Sequence, residues 1–312
     1  MINVLETTKS AVDNSSLVKI STESINKLVE SVKPEDLKVS ELNLFANDWS
    51  WEISLKIIMV FNSVNYCFWA KKDEPKWTVE IEGRKLDGAI ALFRCLEEEV
   101  KRNPDFLNSD ELTNLSEDHL GEILRGNTII PLFQERLECL REMGKADLLK
   151  VFYESENDAI KLADLMISNF PRFNDVSKFE GKKVAFYKRA QLNSKMISDL
   201  LVGSGKGELS NLDKLTAFAD YKIPQILRRF GVLEYALELA NKVDSFELIE
   251  QNSKEEVEIR ANVIWAVELL KQELKKKYDF VTSSHVDSML WLMSQTKTSD
   301  EKPYHRTLTT AY

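Results

Sequence analysis

STESINKLVESVKP, residues 21–34, sets Ile25, Leu28, Val29 and Val32 at positions i, i+3, i+4 and i+7. That spacing gathers apolar side chains on one face of an α-helix. Ser21 and Thr22 offer capping side chains at its start, and Pro34 stands beyond its end, where a missing N–H does least harm. The pattern returns at Ala89, Phe93, Leu96 and Val100, and again at Leu132, Phe133, Leu137 and Leu140 ahead of Gly144, a helix-stop glycine. Further helices are predicted at 157–168, 183–202, 224–241, 255–277 and 284–294, with Pro224 near a helix start and Gly231 as a local interruption. One stretch has the period of a strand instead: Trp77, Val79 and Ile81 alternate with Thr78, Glu80 and Glu82, end at Gly83 and continue through Arg84–Leu86. The expectation is a mainly α, compact helical fold with a small β-hairpin near residues 77–86. No repeat of solenoid period is visible.

A chain of 312 residues can form one large core or two closely packed lobes. We expect a flexible N-terminal segment at 1–20, then a single catalytic domain over 21–312 built as two packed helical lobes. The formal charge of −9, from 42 Lys+Arg and 51 Asp+Glu, argues against a protein that grips polymeric nucleic acid, which needs a basic surface. It leaves room for a local cluster that binds one small anion. No run of about 18 apolar residues is available to span a bilayer, and the start MINVLETTKSAVDNSS has neither a signal-peptide core nor an Arg-rich transit pattern. No membrane association and a cytoplasmic location are expected. Cys67, Cys95 and Cys139 are widely separated and read as buried thiols; His119, His285 and His305 have no metal-ligand spacing. Neither a Gly-rich phosphate loop nor a GxSxG elbow occurs, so we expect no metal and no cofactor. The oligomeric state is not legible.

Five stretches resemble the queuosine salvage protein family: FNSVNYCFWA (61–70) with EPKWTV (74–79), FYKRAQL (186–192), FADYKIPQILRRFGVLEY (218–235), EIRANVIWAVELL (258–270) and PYHRTLTTAY (303–312). They are spread along the chain from about residue 40 onward, and none is a short generic motif. The resemblance implies an all-helical fold reminiscent of DNA glycosylases. It also implies hydrolysis of queuosine 5′-phosphate, a small nucleotide substrate, to queuine and ribose 5-phosphate. A DNA or RNA glycosylase acting on a polymer, and a non-catalytic helical scaffold, are the alternatives from other classes.

Breaking an N-glycosidic bond develops positive charge on the ribose, so a carboxylate is needed near the anomeric carbon. Asp220, between apolar and aromatic neighbours ahead of the helix at Pro224, is the first choice. A capping or turn role is the structural reading of the same residue, and the resemblance reverses the order of the two. Lys188 is expected on a helical stripe with Val184, Leu192 and Met196, either snorkelling or paired with a carboxylate in a cleft. It is the second catalytic candidate, and Arg189 beside it reads as a solvated charge.

The deazaguanine base asks for a carboxylate or amide at its NH edge and an aromatic ring on its face. Asn65, Phe68, Trp69 and Tyr221, with Asp287 and Trp291 at i and i+4, are the substrate-binding candidates, core packing being the competing reading of Phe68 and Trp69. Glu258 and Arg260 read as a structural ion-pair network. Tyr304, His305, Arg306 and Thr307 bring phenol, imidazole, guanidinium and hydroxyl together, and His305 and Arg306 are read as a phosphate clamp.

Overall fold

A computed structural model describes residues 1–38, 49–299 and 301–312. Among the described residues there are fifteen α-helices and three two-stranded antiparallel sheets, the mainly α fold expected. None of these helices is long and apolar enough to cross a membrane. The chain divides into two compact units, each assembled from separate stretches: Met1–Glu41, Asp175–Gln191 and Asn211–Leu308 form one, and Leu42–Asn174, Leu192–Ser210 and Thr309–Tyr312 the other.

The first unit is organised on the Lys254–Lys275 helix, packed by the helices Val4–Asp13, Thr22–Ser31, Lys222–Arg229 and Ser283–Met293. Val257, Ile259, Ala261, Val263, Ile264, Ala266 and Val267 of that helix are all buried, so it is covered on every side along this stretch, the character of a core helix rather than a surface one. Glu256, Glu258, Arg260 and Asn262 are buried with them. Buried polar groups need partners, and theirs hold the neighbouring segments in place. Glu258 Oε2, for example, accepts Ser15 Oγ at 2.6 Å and the backbone N–H groups of Ser16 and Leu17 at 2.9 and 2.7 Å.

In the second unit the Trp51–Val64 helix is buried from Leu55 through Val64 except Lys56 and packs against Gly88–Arg102, Phe133–Met143 and Leu148–Glu154. Arg136, fully buried, donates to the carbonyls of Val64, Tyr66, Cys67 and Pro131. Its guanidinium also lies 5.0 Å from the Phe68 ring centroid. The Val64 bond serves a carbonyl at the end of the Trp51–Val64 helix, which has no partner within the helix, and the Tyr66 and Cys67 bonds hold the segment beyond it.

Several expectations are corrected. Residues 1–20, read as flexible, contain the Val4–Asp13 helix, capped by Asn3, and the Val18–Ile20 strand paired with Leu233–Tyr235. The helix expected over 224–241 is two, Lys222–Arg229 and Leu237–Asp244, with that strand between them. Gly231 is the reason: at φ +68°, it lets Val232 N–H reach Leu227 O at 2.9 Å and its own N–H reach Arg228 O at 3.0 Å. This pair of bonds closes a helix C-terminus on a left-handed glycine. Gly144 ends its helix in right-handed geometry and serves close packing instead, since a Cβ there would meet Thr113 N at 2.5 Å. The helix expected to start at 183 starts at Lys188. Residues 182–185 pair with Val176–Phe179 as a second hairpin, turned at Glu180 and Gly181, both at positive φ as a two-residue type I′ turn requires. Val184 is therefore on a strand, outside the stripe assigned to Lys188.

Candidate active site

Asp220, Lys188, Tyr221, Asp287, Trp291, His305 and Arg306 all belong to the first unit. Asp220 is 8% exposed, in the loop before Lys222–Arg229. Its Oδ1 accepts the backbone N–H groups of Lys222 at 2.7 Å and Ile223 at 2.9 Å, so the capping role weighed from sequence is real. Among the described residues, Oδ2 receives no hydrogen bond. Burial pushes the carboxyl above its ordinary pKa; Lys188 opposes that most, followed by the two backbone N–H groups and Lys222. The aspartate thus combines an orientation fixed through Oδ1 with an Oδ2 that accepts no hydrogen bond among the described residues.

Lys188 is 5% exposed and opens the Lys188–Gly203 helix. Its charge acts on Asp220, so the fold brings together the two candidates for catalysis. Arg189, expected in solvent, is instead 2% exposed, among the largest fully buried side chains of the molecule.

The tail is fixed to the helix that follows the aspartate and to Ile249. Gln225 Nε2 donates to Lys302 O at 2.6 Å, Arg228 Nη1 to Pro303 O at 3.3 Å, and Ile249 N to Arg306 O at 2.8 Å. The Tyr304 ring lies 5.0 Å from that of Tyr221, and the Lys222 ammonium 5.2 Å from the Tyr304 ring. The Arg306 guanidinium rests over Phe246 and Tyr304, at 4.3 and 5.1 Å. Stacking of this kind holds a guanidinium in place. His305 is buried, and burial together with Arg260 and Arg228 lowers its pKa to about 3. It is a neutral imidazole at physiological pH and brings no charge to the cluster.

Asp287 Oδ1 accepts Phe218 N at 2.8 Å, which ties the Ser283–Met293 helix to the approach of Asp220; Trp291, one turn on, is half-buried. Arg260, read as part of a network with Glu258, pairs instead with Asp175 and Glu256. Asp175 carried no signal in the sequence, because it precedes a strand and its partner lies 85 residues away.

Asn65, Phe68 and Trp69 lie in the second unit, at and beyond the C-terminal end of the Trp51–Val64 helix. All three are buried, and the Phe68 ring against Arg136 is accounted for by core packing. Among the described residues no group of three or more His, Cys, Asp or Glu side chains is arranged to hold a metal ion. The cysteines are buried thiols, as read, with burial raising Cys67 to about 11 and Cys95 to about 12.

A protein of Sphaerobacter thermophilus, described as queuosine 5′-phosphate N-glycosylase/hydrolase, is 35% identical to this chain over 100% of the chain and 98% of the relative. Proteins of the same description from Mus musculus and Bos taurus are each 31% identical, covering 97% and 86% of this chain and 96% and 84% of their own lengths. The family model described as queuosine salvage protein matches residues 46–312, and with a match over most of its length the chain belongs to that family.

Proposed function

We propose that the chain hydrolyses the N-glycosidic bond of queuosine 5′-phosphate, releasing queuine and ribose 5-phosphate. The observation that carries the reading is the state of Asp220: buried, oriented through Oδ1 by two backbone N–H groups, acted on by Lys188, and without a hydrogen bond on Oδ2 among the described residues. As the base departs, positive charge grows on the ribose, and a fixed carboxylate in a poorly solvated site stabilises that charge far more than water does. A water molecule gives its hydroxyl to the anomeric carbon, and its proton ends on the ring nitrogen that the bond has left. Asp220 Oδ2 is the oxygen that faces this chemistry.

Arg306, with Lys188 and Lys222, supplies positive charge for the 5′-phosphate, and His305 takes part as a neutral donor only. Tyr221 and Tyr304 offer ring faces to the flat base and Asp287 an acceptor for its NH edge. Lys188 holds charge rather than forming a covalent bond, because simple hydrolysis needs no Schiff base. The net charge of −9 favours a small nucleotide over a polymer.

The test is chromatographic detection of free queuine after incubating purified protein with queuosine 5′-phosphate, with queuosine nucleoside and guanosine 5′-phosphate as controls. Release from the phosphorylated substrate is expected. A folded protein that releases none overturns the reading.

A further inference from the structure

Asp175 and Arg260 have no chemical role in the mechanism above, yet both are buried and they meet at two points: Nη2 to Oδ2 at 2.5 Å and Nη1 to Oδ1 at 2.9 Å. A guanidinium and a carboxylate joined in this fork have little freedom to rotate against each other. Each partner then grips one of the two segments that carry the candidate site. Asp175 Oδ2 accepts the backbone N–H of Lys188 at 3.2 Å, while its carbonyl accepts those of Phe186 and Tyr187 at 3.0 and 3.3 Å. Arg260 Nε donates to the carbonyl of Ala219, the residue before Asp220, at 3.1 Å. Its guanidinium lies 3.9 Å from the Phe186 ring centroid, and Glu256 Oε1 takes Nη1 at 3.2 Å.

A buried ion pair is a poor device for stability alone, since well-packed apolar residues of similar volume often do as well or better. What apolar residues cannot do is fix two backbone segments through directed bonds. We infer that Arg260 and Asp175 are positioning residues for the reaction, their fork setting the spacing between the Lys188 ammonium and the Asp220 carboxylate. The inference rests on the roles given to those two residues under the proposed function. The charged groups acting on Asp220 are Lys188, from the Lys188–Gly203 helix, and Lys222, from the helix that follows the aspartate. Asp287 and Arg260 hold its flanking residues Phe218 and Ala219, and His305 stays neutral.

The test uses the full chain with Arg260→Lys, which keeps the charge and loses the fork, and Asp175→Asn, which keeps the shape and loses the charge. Val263→Ala, a buried position of the same helix, is the control for simple destabilisation. Two quantities are read: kcat and KM for queuosine 5′-phosphate, and the titration of the Asp220 carboxyl by carbon-13 NMR, assigned by its disappearance in Asp220→Asn. Arg260→Lys is expected to lower kcat by about 100-fold with KM little changed, the effect of a small misplacement of reacting groups, and to move the Asp220 titration to higher pH. In a Lys188→Met background Arg260→Lys should move that titration no further. An unmoved titration, with a loss of kcat no greater than Val263→Ala causes, overturns the inference. If Arg260→Lys does not fold, Asp175→Asn decides by the same criteria. Should the wild-type chain release no queuine while the titration still moves, the reaction assignment fails and the geometric one stands.

Discussion

Asp175 and Asp220 are both buried carboxylates of the same unit, and they are held in opposite ways. Asp175 has both oxygens engaged, Oδ1 by Arg260 and Oδ2 by Arg260 and the Lys188 backbone. Asp220 has its two hydrogen bonds on Oδ1 alone. A carboxylate enclosed on both oxygens by a cation and an N–H can only hold structure. A carboxylate capped on one oxygen is held just as firmly and still presents the other. Burial works against ionisation at Asp220, and Lys188, the Ile223 and Lys222 backbone N–H groups and the Lys222 charge work for it. The difference lies in where the donors fall, not in depth of burial.

The sharpest way to break this comparison is Asp220→Asn, which leaves an oxygen to accept from Lys222 and Ile223 and removes only the charge. Turnover should fall by about 1000-fold or more, the scale on which preorganised charge acts. The melting temperature should hold or rise, because a buried amide costs less than a buried charge. Asp220→Ala also removes the acceptor and should lose about 1 kcal/mol in denaturant unfolding. If Asp220→Asn kept more than about a tenth of wild-type turnover, the reacting carboxylate would be another residue. Lys188→Met comes next, with kcat expected to drop by about 10- to 100-fold and the acid limb of the pH–rate profile to shift. On the proposed mechanism the working form of Asp220 is ionised, so activity should be lost as pH falls through its raised pKa. Removing the cation that most opposes burial raises that pKa again, moving the limb to higher pH. A limb that does not move would separate Lys188 from Asp220.

How much of this could be read beforehand depended on how local the signal was. Both hairpins turn on the same dipeptide, Glu82-Gly83 in one and Glu180-Gly181 in the other. The first was legible because Trp77, Val79 and Ile81 alternate cleanly before it. The second was hidden because residues 183–185 run straight into helical sequence at Lys188, and the repeated Glu-Gly was the cue that could have found it. For the proposed site, Asp220, Lys188 and Arg306 are candidates drawn from the stretches that carry the family resemblance. Asp175 could not be named beforehand, because its partners come from contacts 13 and 85 residues away with no local periodicity to mark them. Arg189 failed for the opposite reason: spacing along a helix says which way a side chain points, but not whether other parts of the fold cover that direction.

The tail supplies the two smaller tests. Arg306→Ala should raise KM for the phosphorylated substrate about tenfold or more, the worth of a hydrogen bond to a charged group, while kcat stays near wild type. Equal loss of kcat would move Arg306 from holding the phosphate to the chemistry itself. His305, its neighbour, extends the contrast between the carboxylates. At Asp220 nearby cations offset burial, whereas at His305 Arg260 and Arg228 reinforce it and the folded pKa falls from 6.5 to about 3. Between those values the unfolded chain binds the proton and the folded one does not. Stability is therefore complete above the unfolded value, begins to fall as pH drops through 6.5, and goes on falling toward 3, at up to about 1.4 kcal/mol per pH unit. Urea unfolding measured at neutral pH and in the mildly acidic range should show that slope, and His305→Asn should flatten it. Because the folded imidazole stays neutral across that range, KM for the phosphorylated substrate should follow the same acid profile in the wild type and in a folded His305→Asn variant. An acid rise in KM that His305→Asn abolishes would mean that the imidazole takes up a proton in the folded chain, that burial and the two arginines do not hold it neutral, and that its charge disturbs the tail carrying Arg306.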